Sequence, residues 1–196
     1  KKSGKNILIQ MTDELSHRGP TSGYSFHENF YSNIGLGHRR LSILDLTQNG
    51  RQTMKFENLE IIYNGEIYNY KEIQKELENL NYNFKSNSDT EVVLKAYHKW
   101  GIKAVNKFSG MFSIAIYDKK LDKIILIRDR SGVKPCFYFF SDNLFLFSSD
   151  LKSLHRHHRF KKKINKDALG LYMKYGYILE PNCIFENTYK LKAGHY

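Results

Sequence analysis

The run Ile61-Ile62-Tyr63-Asn64-Gly65-Glu66-Ile67-Tyr68-Asn69-Tyr70 constrains this chain more than any other. Apolar residues alternate on both sides of a polar Asn-Gly-Glu step, as on a half-buried strand, and the run leads straight into a helix-like stretch. There Asn69 is placed to cap the helix and Glu72 to return the bond, with Ile73, Leu77 and Leu80 as one apolar stripe. Asn-Gly between alternating arms is also the strongest short hairpin signal. Two readings therefore stand at this point, a plain turn and a strand that carries polar groups for chemistry.

The neighbouring segments favour a mixed α and β fold. Apolar residues from Asn6 to Leu15 permit a helix that Gly19-Pro20 would stop, and Tyr24 with Phe26 opens an extended region running to Leu44. Ser88 and Glu91 predict a second capping box before a helix closed by Gly101, with Asp89 in its first turn. Strands are expected at Met111 to Tyr117, Lys123 to Arg128, Cys136 to Phe140 and Leu144 to Phe147, a meander rather than a parallel βαβ wind. Asp150 to His155 and Asp167 to Tyr175 are helix-compatible. The expectation is an α+β domain over residues 1–160, followed by a connector over 161–196.

With 41% hydrophobic residues in 196, a sizeable core can form, whereas no apolar run approaches the roughly 20 residues of a bilayer span. No membrane role is expected. The opening Lys1-Lys2-Ser3-Gly4-Lys5 lacks the apolar segment of a secretory signal, which makes a cytoplasmic setting the default. Cys136 and Cys183 sit in apolar surroundings without metal-ligand spacing and read as buried, unreactive thiols, so no metal is expected. The net charge of +11 and the run from His155 to Lys163 raise a nucleic-acid partner, yet the basic residues are spread along the chain without an RNA-binding signature. That run is expected to be a solvated face or linker.

Some residues are suited to hydrolysing an amide. The Asn64 side-chain amide and the unhindered Gly65 N–H could converge on a developing oxyanion. Arg40 has the bidentate fork for a carboxylate, and Asp89 has a charge for an ammonium. Each has a plainer alternative: a surface ion pair for Arg40, a carboxylate complementing a helix dipole for Asp89.

Taken in order, Gly37-His38-Arg39-Arg40-Leu41-Ser42-Ile43, Asn64-Gly65-Glu66-Ile67-Tyr68-Asn69 and Ser88-Asp89-Thr90-Glu91 resemble the glutamine-hydrolysing domain of class II amidotransferases of the asparagine-synthetase type. His17-Arg18-Gly19-Pro20, Gly110-Met111-Phe112 and Arg128 to Pro135 resemble further family segments, although Thr21 stands where the family usually has aspartate. The resemblance implies an N-terminal-nucleophile hydrolase fold, a four-layer αββα sandwich of antiparallel sheets. It implies that Arg40 grips the glutamine carboxylate with backbone groups around Ile43 and Leu44, that Asn64 and Gly65 form the oxyanion hole, and that Glu66 and Asp89 hold the substrate's amino end. Arg128 and Asp129 are expected to form an internal ion pair in the scaffold.

In this family the nucleophile is a cysteine at the very N-terminus, whose α-amine, with an unperturbed pKa near 8, can act as its own general base. The chain given begins at Lys1. The favoured expectation is that a Met-Cys-Gly-Ile-like strand precedes Lys1; the rival is an inert glutaminase-like module that retains the pocket as a binding scaffold. The resemblance further implies ammonia transfer to a downstream domain that uses ATP and Mg²⁺ to amidate aspartate or a related carboxylate. An acceptor such as a cell-surface sugar remains an alternative. No cofactor is expected in this domain, and a homodimer is one option for its assembly.

Overall fold

The computed structural model describes residues 4–28, 33–40 and 52–196. At its centre lies a four-stranded antiparallel sheet in the order β3 (Met54–Phe56), β4 (Leu59–Ile67), β5 (Gly110–Asp118), β6 (Lys123–Arg128). Side chains alternate across it. Leu59, Ile61, Tyr63 and Ile67 of β4 turn to one face and pack with Ile73 and Leu77 of α2 (Tyr70–Glu78) and with Val92, Val93, Leu94 and Ala96 of α3 (Asp89–Trp100). The opposite face of the sheet carries Ile62, Asn64 and Glu66.

A second β layer faces those residues. Among the described residues it consists of two pieces, the hairpin β1 (Thr21–Glu28)–β2 (Asn33–Arg40) and the sheet formed by β8 (Leu144–Ser148), β7 (Phe137–Ser141) and β9 (Thr188–Lys190), in that order. Ile62, Ala115, Ile124 and Leu126 of the central sheet meet Tyr138 and Phe147 of the second. Wholly buried Glu60 adds a polar tie, its Oε2 lying 2.6 Å from His27 Nε2 on β1. On the outside, α1 (Gly4–Asp13) lies over β2, where Gly35 and Gly37 leave room for Leu8 and Thr12. Met11 joins Leu151 and Leu154 of α4 (Leu151–Leu154) beneath β7 and β8. Helix, sheet, sheet, helix is the layer order that the family resemblance implied.

Several local expectations need correction. Asn69 does not cap α2 with its side chain; it donates to Lys107 O and accepts from Ser109 N, both at 2.9 Å, fastening the helix start to the chain entering β5. Leu80 lies beyond α2 and is exposed. Ser88 caps α3 at Thr90 N, but Glu91 turns away from the reciprocal bond to accept Lys85 N, Ser86 N and the Lys95 ammonium. Arg128 and Asp129 are not paired either: Arg128 bonds Glu180 at 2.6 Å, whereas the Asp129 carboxylate is filled by backbone amides. Helix and strand positions followed from periodicity; these partners did not, because each lies far away in sequence or in a loop.

The basic run spreads over local partners. Arg156 reaches Glu14 at 2.5 Å, Arg159 donates to Asp142 O, Lys163 meets Glu186 at 2.9 Å, and Phe160 is buried. Helix α5 (Lys166–Tyr175), capped by Asn165 and ended by Gly176 in the left-handed region, buries only Ala168 and leaves Leu169, Tyr172 and Met173 exposed. No helix among the described residues is long and apolar enough to cross a membrane.

Leu94 is 1% exposed in the main core, and Leu94→Ala is expected to lower unfolding stability by about 2–5 kcal/mol in urea titrations. Burial alone would raise the Glu91 carboxyl, but Lys95, Ser86 and Lys85 outweigh it and hold the group below its ordinary 4.5. A depressed carboxyl stabilises above its unfolded pKa and loses that contribution as pH falls through the folded value. Thermal melts should therefore show Glu91→Gln less stable at neutral pH, with the gap to wild type closing as pH drops below about 4.5.

Candidate active site

Asn64-Gly65 is not a turn: both residues lie within β4, paired with Ser113 and Phe112 of β5. The ladder determines what they can do. Phe112 gives its N–H to Asp129 Oδ2 (3.2 Å) and takes the Asp129 N–H on its carbonyl (2.9 Å), so neither backbone group faces Gly65. In an antiparallel pair this makes Gly65 a non-hydrogen-bonded partner of β5, its own N–H turned to the other side of β4. Tyr63 and Ile67, two residues away on either side, behave the same way. Tyr63 N–H goes to Gln52 Oε1 (2.6 Å) and Ile67 N–H to Asp89 Oδ2 (3.1 Å). β3 stops opposite Ile61, so no strand among the described residues covers the Gly65 N–H.

Only glycine fits there. A Cβ on Gly65 would lie 2.1 Å from Met111 O and 2.7 Å from Phe112 Cα, at a φ of +156°. The two strands approach so closely that the Gly65 amide is fixed by β5. The Asn64 side chain stands on the adjacent face with Ile62 and Glu66, beside that amide and directed to the space between the sheets.

That space is a cavity of about 980 Å³ whose wall includes Arg40, Asn64, Gly65, Glu66 and Asp89. These five candidates come from β2, β4 and the first turn of α3. Ile43 and Leu44 lie outside the described residues. Asp89 is 5% exposed; its Oδ2 accepts from Tyr63 OH (2.7 Å) and from Ile67 N. Burial raises the Asp89 carboxyl above its ordinary value, and the nearby Glu66 charge adds to the rise while Tyr63 and the amides oppose it. Two carboxylates that repel across a shielded wall would both be relieved by a cation between them, the charge state of an α-amino group. Opposite in sign, Arg40 at the end of β2 is close enough to His38 to disfavour its protonation.

Residues overlooked in the sequence build much of this wall. Tyr63 aims Asp89, and Gln52 holds Tyr63 from both sides, accepting its N–H and donating to its carbonyl at 2.9 Å. Their signal was faint: Tyr63 read as one more apolar strand position, and nothing marked Gln52. His38 carries no signal in the sequence beyond its place in a motif. Burial pushes its imidazole down to about 4 despite the Tyr63 backbone, so it is neutral at physiological pH, and its Nδ1 has no partner among the described residues. Cys136 also lines the cavity, but burial raises both it and Cys183, disfavouring the thiolate that attack requires. Among the described residues no group of three or more His, Cys, Asp or Glu could hold a metal ion.

The cavity also runs between two strand edges, since β2 pairs only with β1 and β8 only with β7 among the described residues, and both contribute to the wall. Chemically, the site offers two N–H donors for an oxyanion, a guanidinium, and a pair of carboxylates for an amine.

Comparison with known proteins gives the chain's family. The family described as "Glutamine amidotransferase domain" matches residues 1–196. The chain is 41% identical over 208 residues to a putative asparagine synthetase [glutamine-hydrolyzing] 2 of Methanocaldococcus jannaschii, an alignment covering 96% of this chain and 40% of the relative. It is likewise 41% identical over 198 residues to asparagine synthetase [glutamine-hydrolyzing] 2 of Bacillus subtilis, covering 97% of this chain and 26% of that protein. The chain thus spans well under half the length of these relatives. Among solved structures, a glutamine phosphoribosylpyrophosphate amidotransferase from B. subtilis shares the fold, with a TM-score of 0.67 at 16% identity over 79% of this chain and 41% of the other. With the whole chain matched and the family's motif residues gathered in one cavity, this protein belongs to the glutamine amidotransferase domain family.

Proposed function

We propose that the cavity binds glutamine and hydrolyses its side-chain amide to glutamate and ammonia, as the first half-reaction of an asparagine-synthetase-like enzyme. The observation that carries this reading is the strand edge at which no strand among the described residues covers the Gly65 N–H beside Asn64, while Asp89, Glu66 and Arg40 share the same wall. Arg40 takes the α-carboxylate through its fork, assisted by backbone at Ile43 and Leu44, and Asp89 with Glu66 takes the α-ammonium. With both charged groups on its α-carbon held, glutamine can extend its side chain so that the δ-carbonyl meets Asn64 and Gly65.

A thiolate adding to that carbon puts the negative charge on the carbonyl oxygen, where the Asn64 amide and Gly65 N–H stabilise it. Collapse breaks the C–N bond, the leaving nitrogen takes a proton and departs as ammonia, and water then releases glutamate from the thioester. The thiol belongs to a strand preceding Lys1, and the cavity bordered by the edges of β2 and β8 supports a place for it, since an added strand gains main-chain bonds on both sides. This reading is favoured over an inert binding module because a scaffold has no need of an uncovered amide beside a second donor.

Residues 161–196 lead on to a synthetase domain, in keeping with the greater length of the relatives, where ATP and Mg²⁺ drive amidation of aspartate or a related acceptor in the cytoplasm. The exposed Leu169, Tyr172 and Met173 of α5 suit contact with that domain; a homodimer through the same face is the competing arrangement, separable by light scattering of the complete protein.

In the complete enzyme, Asn64→Ala is expected to lower glutaminase kcat by about a hundredfold or more, and unchanged kinetics would refute the oxyanion assignment. For Asp89 the folded pKa is raised, so the ionised carboxylate costs stability as pH climbs above its ordinary 3.8. Asp89→Asn should thus melt no lower than wild type at pH 7, with its relative stability falling towards pH 3.5, while calorimetry shows glutamine binding weakened tenfold or more. Equal glutamine affinity would remove Asp89 from the site.

A further inference from the structure

The oxyanion donor Gly65 has no side chain to hold it, so its position depends on what holds β5. Met111 O and Phe112 Cα crowd it most closely, and Phe112, directly opposite, is gripped on its far side by one residue. The Asp129 N–H and carboxylate close a ring of two hydrogen bonds on the Phe112 C=O and N–H. The same carboxylate, 1% exposed, also accepts from Ser131 N (3.1 Å), Val133 N (2.9 Å) and Lys134 N (3.0 Å). Four amides hold it ionised against the burial that would raise it. An aspartate spent wholly on backbone sets the place of a strand.

We infer that Asp129 is a positioning residue for catalysis: by fixing Phe112, it fixes the height of the Gly65 N–H in the cavity wall. The inference rests on the oxyanion role proposed for Gly65. Van der Waals contact transmits the constraint. Because a Cβ on Gly65 would already overlap Phe112 Cα, a shift of β5 towards β4 must move Gly65, and a shift away opens a gap that the glycine can follow. Donor placement matters steeply here, since an oxyanion hole works only with its N–H groups about 2.7–3.1 Å from the charge that develops. Glutamine capture should suffer far less, because Arg40 lies on β2 and Asp89 on α3, and only Glu66 of the proposed gripping groups shares β4 with Gly65.

The test uses the complete enzyme with its nucleophile, with rates expressed per active site titrated with a glutamine-directed alkylating agent. Asp129→Asn replaces one acceptor oxygen with a donor facing backbone N–H groups, and is expected to lower kcat tenfold or more with KM for glutamine within about twofold. Affinity for the γ-semialdehyde of glutamate, whose thiol adduct bears the same oxyanion, should fall in parallel with kcat. A purely structural aspartate would lower the melting temperature and the titrated fraction but leave kcat per site and aldehyde affinity unchanged, and that result overturns the proposal. Should Asp129→Asn fail to fold, Asp129→Glu, which keeps the charge and displaces the acceptor, must show the same split or the proposal is lost. Asn64→Ala serves as control: if it too leaves kcat intact, the oxyanion reading has failed, and if only the Asp129 variants do, the positioning role alone has failed.

Discussion

Everything at this site depends on the hydrogen-bond parity of β4 against β5. In an antiparallel ladder alternate residues give their amides to the neighbour, and the odd-numbered positions of β4 are the ones that do not. Three consecutive members of that set, Tyr63, Gly65 and Ile67, present N–H groups to the same side. Gln52 takes the first and Asp89 the third. Among the described residues no strand covers the middle one, as the proposed oxyanion role requires, and its neighbours' partners are themselves parts of the wall. A register slip of one residue would send Asn64 and Glu66 into the helix-facing core and close the amide off.

Secondary structure and family were legible because they are local or ordered signals. Alternation in β4 to β8, the Ser88 cap and the Gly101 stop all follow from short-range chemistry, and each is found where periodicity placed it. The Asn64-Gly65 step could not be resolved that way. Its hairpin signal is real for an isolated peptide, but β5 pairs continuously from Leu59 to Ile67 and converts the step into strand. The gain from a nine-residue ladder outweighs the local preference of two residues.

What stayed hidden were side-chain partners separated by long stretches of chain. Glu72, Glu91 and Asp129 were each assigned the nearest plausible partner in sequence, and for Glu91 and Asp129 the structure shows loop or strand amides instead. Buried carboxylates gain most from several N–H groups that no side chain elsewhere contests, and loops supply these at no cost to a ladder. Tyr63 and Gln52 escaped notice for the same reason: their importance lies in where Asp89 sits, 26 and 37 residues further along.

Arg128 shows a different consequence of the same economy. Its guanidinium bonds Gly132 O, Lys134 O, Leu191 O and Glu180, and its amide reaches His195 O, while Gly194 N returns to Asp129 O. The stretch from Glu180 to His195 is thereby riveted to the β-sandwich and travels with it as a rigid arm. Its heading is therefore dictated by one guanidinium at the end of β6 rather than by the three-residue strand β9 alone.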